Sequence, residues 1–290
     1  VPNNLNDAPW QDLAGAGFVT VREFLSELEL AKLRNDYDLR FGKPESNGNY
    51  DAAYIPPLLT WQFEPKLRAV SSAVQAASGI TADMTVGGLY FATTRGVSFP
   101  WHQDHDSFFI YQQHSDYLNF YIPIVKPSAK LSNLCLIPFD RLRERVSISD
   151  FERLRGSGAA RFVSCEGGTR VFDDGSDDEY TLPVDIESLK ATPELMPGDL
   201  LLFRGDMIHR TQDADTARVA VSFRRTRSAG VIRKDKLQSG GTAKQDLIRK
   251  SSLLYESLFK CFASLNQDEM TAKQLAEYYQ AEAAKRAKRS

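Results

Sequence analysis

The sequence predicts a mainly β fold with flanking helices (α+β), a double-stranded β-helix or jelly roll, and three observations predict it. Between about residues 84 and 228, short β-branched and aromatic runs follow one another, punctuated by Gly, Pro and Asp. Helical periodicity hardly interrupts them, which argues for antiparallel strands rather than a parallel α/β sheet. Amphipathic helical patterns lie before this block, at about 15–80, and after it, at about 243–288, where they can cover a barrel from outside. The whole chain, 1–290, reads as a single domain.

The elements follow in order. Gly17-Phe18-Val19-Thr20-Val21 is β-prone, and Ser26 with Glu29 has capping-box spacing ahead of Leu30, Leu33 and Tyr37 at helical intervals. Residues 41–58 carry Gly42, Pro44, Asn47, Gly48, Pro56 and Pro57 and read as loop. A second helix is expected from about Pro65 to Ala77, closed by Gly79. Strands are expected at Val86 to Thr94, Ser107 to Tyr111, Leu118 to Ile124, Leu134 to Pro138, Arg161 to Ser164, Thr169 to Phe172, Leu200 to Arg204 and Arg218 to Phe223. Asp150 to Arg155 is a helical insertion. The acidic run Asp173 to Glu179 lacks EF-hand ligand spacing and reads as a solvated hairpin tip. Leu247, Ile248, Ser251, Leu254, Tyr255, Leu258 and Phe262 form one amphipathic stripe, and Ala272, Leu275, Ala276 and Tyr279 a weaker one. These helices either buttress the barrel or meet a second copy in a homodimer.

Composition excludes several classes of function. The chain has 290 residues, is 42% hydrophobic and 26% charged, and carries a net charge of -2. That leaves no basic field for nucleic acid. Cys135, Cys165 and Cys261 are odd in number and widely spaced, with neither zinc-ligand nor disulfide spacing, so a reducing, cytoplasmic setting is expected. No apolar run is long enough to span a bilayer.

Chemistry concentrates at His102-Gln103-Asp104. On an extended strand, residues i and i+2 share a face, so His102 and Asp104 are presented together while Gln103 turns away. If the following strands fold back, His209 joins them. Two imidazoles and one carboxylate form a facial set that leaves positions open on a non-haem Fe(II) ion. A His-x-Asp triplet arises easily by chance, and His114-Ser115-Asp116 is a rival. Position favours the first: His114 sits in a polar turn feeding a strand, whereas His102 follows a strand and a corner at Gly96. His105 and His114 are left as neighbouring or surface groups. After the turn Pro197-Gly198-Asp199 and the strand Leu200 to Phe203, alternation in Arg218-Val219-Ala220-Val221-Ser222-Phe223 puts Arg218, Ala220 and Ser222 on one face. An arginine turned into a barrel needs an anion, and a carboxylate supplies one. Arg95, Trp101, Phe108 and Tyr121 fall near this cleft and are candidate contacts for a small-molecule substrate, or equally barrel packing; Arg95 or Arg224, if in reach of the pocket, would favour a carboxylate or phosphate there.

Trp101-His102-Gln103-Asp104, Pro197 to Phe203, His209-Arg210-Thr211 and Arg218 together resemble the Fe(II)/2-oxoglutarate-dependent oxygenases, in the branch similar to phytanoyl-CoA dioxygenase. The resemblance covers about residues 15–228, including the Gly17-Phe18-Val19 strand and its helix; the C-terminal helices fall outside it. Asn133 to Pro138 departs from the family pattern, with Leu134 where a glycine is usual and Phe139-Asp140 after the proline, which bears on a neighbouring substrate loop. The resemblance implies that His102, Asp104 and His209 bind Fe(II), and that 2-oxoglutarate chelates the metal while Arg218 and Thr211 hold its distal carboxylate. It further implies that O2 takes the last position. A dioxygenase acting on a C–H bond, most simply a hydroxylase, is then expected, with succinate and CO2 as co-products. The same cofactors also serve desaturation, epoxidation or cyclisation of a biosynthetic intermediate. Asp104 argues against halogenation, since related halogenases carry Gly or Ala there. The alternative of a different class is a non-catalytic, cupin-like module that only binds a metal or ligand, which would have no use for Arg218.

Overall fold

The computed structural model describes residues 8–42, 50–156 and 158–287. Helix α1 (Asp12–Gly15) leads into β1 (Phe18–Val21) and α2 (Glu27–Phe41). The expected capping box forms: Ser26 N donates to the Glu29 carboxylate at 2.8 Å and Glu29 N to Ser26 Oγ at 3.3 Å. β2 (Tyr50–Tyr54) and α3 (Pro57–Ser78) follow. Here the structure departs from expectation. A strand forms inside the presumed loop, and α3 starts at Pro57 rather than about Pro65. Proline is at home in a first turn, where its missing N–H has no partner to lose, and Pro65 is carried within the helix. Gly79, in the left-handed conformation, ends α3 as expected. Pro44, Asn47 and Gly48 of the presumed loop lie outside the described residues.

The strands continue as β3 (Met84–Thr93), β4 (Tyr117–Val125) and β5 (Leu134–Leu136). Helices α4 (Phe139–Arg143) and α5 (Ile148–Gly156) precede β6 (Ala160–Cys165), β7 (Gly168–Asp173), β8 (Glu179–Leu182), β9 (Leu200–Arg204), β10 (His209–Thr211) and β11 (Arg218–Thr226). One antiparallel sheet runs β1-β9-β4-β11-β3-β2. The facing sheet consists of β6-β7-β8 and β10-β5, joined by His102, which bridges to both Arg161 and His209. This is a double-stranded β-helix.

Period-two alternation decides which face each side chain takes. Val219, Val221 and Phe223 of β11 pack with Phe120, Ile122 and Leu202 against α2 and α3. Ala220, Tyr121, Leu201 and Phe203 point the other way, onto Leu136, Phe162 and Val171 of the smaller sheet. Each such large apolar side chain contributes roughly 1.5–3 kcal/mol on burial. A one-residue slip would exchange the faces, so the register is strongly held. Arg218, Ser222 and Arg224 share the inward face with Ala220 and line a cavity between the sheets.

Ser107 to Tyr111, expected as a strand, is a π-helix, Asp106–Ile110. Ser107, Phe108, Phe109 and Ile110 are all buried, so no exposed face alternates with a buried one. Short apolar runs of this kind carry no period that separates strand from helix. Phe108 and Phe109 pack with Ala159 and Leu247, and Ile110 joins the C-terminal cluster.

That cluster holds β12 (Val231–Arg233), α6 (Lys234–Gln238), α7 (Thr242–Lys250), α8 (Ser252–Leu265), β13 (Glu269–Thr271) and α9 (Ala272–Ala287). The single helix expected over 247–262 is broken at Ser251, where ψ reaches 38°. Tyr255, Leu258 and Phe262 still face one core with Ile248 and Leu275, so the stripes pack within the chain; the side chain of Leu254 lies outside those described. The acidic tip between β7 and β8 is not merely solvated. Asp177 accepts from Thr242 Oγ1 at 2.7 Å and from Ala243 N at 3.2 Å, capping α7. Asp177→Ala is therefore expected to speed hydrogen exchange in the first turn of α7 while leaving the amides of β11 protected, a contrast readable by mass spectrometry or NMR. Among the described residues no helix is long and apolar enough to cross a membrane.

Candidate metal centre

His102 and His209 are drawn together by backbone. His102 N donates to His209 O at 3.0 Å and His209 N to His102 O at 2.9 Å, an antiparallel pair that sets the imidazoles side by side, centroids 4.4 Å apart and planes tilted by 47°. Asp104 completes the set. Its Oδ1 lies 3.8 Å from His102 Nε2 and 3.8 Å from His209 Nε2. One ligand atom from each residue falls within 4.8 Å of the others, and no other such cluster of His, Cys, Asp or Glu occurs among the described residues. The rival pair is dispersed: His114 stacks on Phe108, and Asp116 accepts from Thr81 N at 3.0 Å.

The ring nitrogens are assigned by their partners. His102 Nδ1 lies 2.8 Å from Pro100 O, and His209 Nδ1 3.0 Å from Met207 O. A carbonyl only accepts, so each Nδ1 carries the proton and each Nε2 presents a lone pair to the shared gap. Burial, reinforced by the charge of His209, pushes His102 down to about 4, so it is neutral near pH 7. Burial pushes the Asp104 carboxyl up, but His209, Arg224 and His102 together outweigh it and hold it below the ordinary range. A neutral His102 and an ionised Asp104 are the donor forms that a divalent metal requires.

Surrounding bonds hold these three in place. Gln103, turned away from the gap and buried, donates to Leu154 O and Asp206 O, both at 2.9 Å, and accepts from Ala160 N at 3.1 Å. Glu187 ties the residue before one histidine to the residue after the other. It accepts from Trp101 Nε1 at 2.9 Å and from Arg210 at 2.8 Å and 3.2 Å, with Arg210 resting over the Trp101 ring. Burial raises Glu187, but hydrogen bonds from Arg210, Lys190 and Trp101 prevail and bring it from 4.5 to about 2. A carboxyl lowered on folding stabilises above its ordinary range, so this network is intact near neutrality and is lost as pH falls toward about 2. Groups that orient metal ligands typically contribute 10–100-fold to affinity. Glu187→Gln is expected to weaken metal binding about tenfold, measured by competition with a chromophoric chelator.

The three residues line a cavity of about 120 Å³ together with Thr211, Tyr121, Arg218 and Arg224. Arg218 is 6% exposed, its NH1 reaches only Asn133 O at 3.3 Å, and it forms no ion pair among the described residues. Lys126 stands close by, on Asn133 Oδ1 at 2.6 Å, and is pushed down to about 8 by burial and by the Arg218 charge. Asp213 feels the Arg218 charge without pairing with it, so this end of the cavity is a buried cationic site with no carboxylate in contact with Arg218 among the described residues, which fits a carboxylate from a ligand. The donor set at the other end fits a divalent metal.

Trp101, Phe108 and Arg95 do not line the cavity. Trp101 is buried in the core of the smaller sheet, Phe108 packs beneath the C-terminal helices, and Arg95 is exposed. His105 bonds Asp174 at 3.1 Å, away from the ligand set. Asn119 and Glu187 were not anticipated. An asparagine near the start of the apolar run Leu118 to Ile124 was a readable sign, because alternation places it on the inward face with Tyr121.

No protein-family model matches the chain, and no curated protein matches it. Among solved structures it is similar to the epimerase SnoN in complex with Fe3+, alpha ketoglutarate and nogalamycin RO, with TM-score 0.54 and 14% identity over 79% of this chain and 86% of that one. It is also similar to SnoK, a non-heme alpha ketoglutarate dependent carbocyclase from nogalamycin biosynthesis, with TM-score 0.52 and 13% identity over 79% of this chain and 88% of that one. At such identities the likeness establishes a shared fold.

Proposed function

We propose that the protein is an Fe(II)- and 2-oxoglutarate-dependent dioxygenase that oxidises a C–H bond of a small molecule, with hydroxylation the leading outcome and succinate and CO2 as co-products. The observation that carries this reading is Arg218, a buried guanidinium with no ion-pair partner among the described residues, in the cavity that holds His102, Asp104 and His209. A metal alone needs no such group. Fe(II), when bound, supplies open coordination positions at which a keto acid and O2 can be activated.

The residues divide the remaining work. The Nε2 atoms of His102 and His209 and Asp104 Oδ1 would hold the ion at the wall of the cavity. Arg218, with the Thr211 hydroxyl, holds the distal carboxylate of 2-oxoglutarate, and Tyr121 Oη, buried without a partner, offers a further hydrogen bond. Phe91, Phe99, Leu134 and Phe203 wall the cavity with apolar surface and keep bulk water away. Support comes from the fold shared with enzymes described as alpha ketoglutarate dependent. Cyclisation is the second reading, because it begins with the same hydrogen abstraction and SnoK is described as a carbocyclase. Incubating the purified protein with Fe(II), ascorbate and 2-oxoglutarate in air is expected to yield succinate above a metal-free control. Metal uptake without succinate would leave the binding-module reading instead.

A further inference from the structure

Unpartnered polar atoms recur on one wall of the cavity. Of the nine buried side-chain nitrogen and oxygen atoms without a hydrogen-bond partner among the described residues, four line the cavity: Tyr121 Oη, on the co-substrate side, and both amide atoms of Asn119 with Arg224 Nε; Tyr117, in contact with Arg224, and Thr226 lie just beyond it. These residues sit in register on two neighbouring strands, Asn119 opposite Arg224 and Tyr117 opposite Thr226. Asn119 is 1% exposed, and both its amide atoms are unpaired. Buried polar groups are ordinarily satisfied, so such a set marks where a ligand's polar groups belong.

The inward face of β11 also carries two guanidinium groups where the co-substrate uses one. Arg218 and Arg224 are six positions apart, roughly 20 Å of strand. Arg218 lies by Asn133, whereas the charge of Arg224 is felt by Asp104. Arg224 is only partly satisfied: it pairs through NH1 with Asp106, and its Nε is buried without a partner. Asp106 is the more solvated member of the pair, 40% exposed against 13%, so it is the group that can turn out to water.

We propose that Arg224, backed by Asn119, anchors an anionic oxygen group of the prime substrate, a carboxylate or a phosphate, with Asp106 as the internal stand-in that the substrate displaces. This rests on the oxygenase reading and adds the substrate class to it. Because Arg224 neighbours Asp104, the C–H bond presented to the metal lies only a few bonds from the anionic group.

The test uses the full chain loaded with Ni(II) and saturated with 2-oxoglutarate, so that Arg218 is filled and no turnover occurs. Calorimetry then compares hexanoate, hexyl phosphate and hexanamide. One acid should bind about tenfold more tightly than the amide, the gain of one charge-assisted hydrogen bond, and whichever acid binds more tightly names the anionic group. The preference should fall to about one in Arg224→Met, persist in Arg224→Lys, and grow in Asp106→Asn, where the competing carboxylate is gone. Equal binding of acids and amide by the wild type, a preference that survives Arg224→Met, or weaker acid binding in Asp106→Asn overturns the proposal. Should Arg224→Met fail to fold, the Lys and Asp106→Asn variants decide alone. Succinate formation with Fe(II) but without acid preference removes the anchor only; absence of succinate removes the oxygenase reading and the anchor with it.

Discussion

His209→Ala is expected to abolish tight metal binding and with it succinate formation. His209 is buried and supplies one of three donor atoms, with its other nitrogen fixed on Met207 O. Loss of a group that merely orients a ligand lowers metal affinity about 10–100-fold, so loss of the ligand itself should exceed about 100-fold. The fold should persist, because the pairing of residues 102 and 209 runs through backbone N–H and C=O groups that alanine retains. Bound metal after dialysis, read by elemental analysis, checks the affinity, and the melting transition checks the fold. His114→Ala is the control: the rival pair lies outside the cluster, so this variant should keep its metal. A His114→Ala variant that lost its metal while His209→Ala kept it would reverse the assignment.

Arg218→Met is expected to raise the KM for 2-oxoglutarate about 100-fold or more, since two charge-assisted hydrogen bonds contribute about 1.5–3 kcal/mol each. A second effect runs in the opposite direction. In the free protein this guanidinium is buried with no ion-pair partner among the described residues, a costly state, and methionine fills similar space without the charge. The variant should melt no lower than wild type without 2-oxoglutarate and lose the stabilisation that 2-oxoglutarate gives. An arginine holding a purely structural place would show the reverse, a lower melting temperature and an unchanged KM. Steady-state succinate assays and thermal melts with and without co-substrate separate the two.

Much of this arrangement was legible in the sequence because it rests on short-range rules. Alternation in Arg218 to Phe223 gave the faces of β11 correctly, since Val219, Val221 and Phe223 meet the helices and Ala220 meets the other sheet. The order of His102, Asp104, His209 and Arg218 was readable, and the structure gathers all four around one cavity. Elsewhere the deciding forces are tertiary. Ser107 to Tyr111 has strand composition, but burial on every side by Ala159, Leu247 and the C-terminal core winds it into a π-helix. Pro65 looked like a helix start, yet the helix begins at Pro57 and runs through it. Glu187 carries no local sign of its role, because Trp101 and Arg210 reach it across 86 and 23 residues of chain. Trp101 adjoins His102 and Phe108 follows Asp104 by four residues, but both face the core, a choice that hydrophobicity alone does not settle.

The most direct measurement is anaerobic titration of the Fe(II)-loaded protein with 2-oxoglutarate, followed by visible absorption. A keto acid chelated to Fe(II) at the His102, Asp104 and His209 site should produce a charge-transfer band that saturates at one equivalent, is absent with succinate, and is absent in His209→Ala. A protein that takes up Fe(II) yet shows no band, or shows the same band after His209→Ala, would contradict the account.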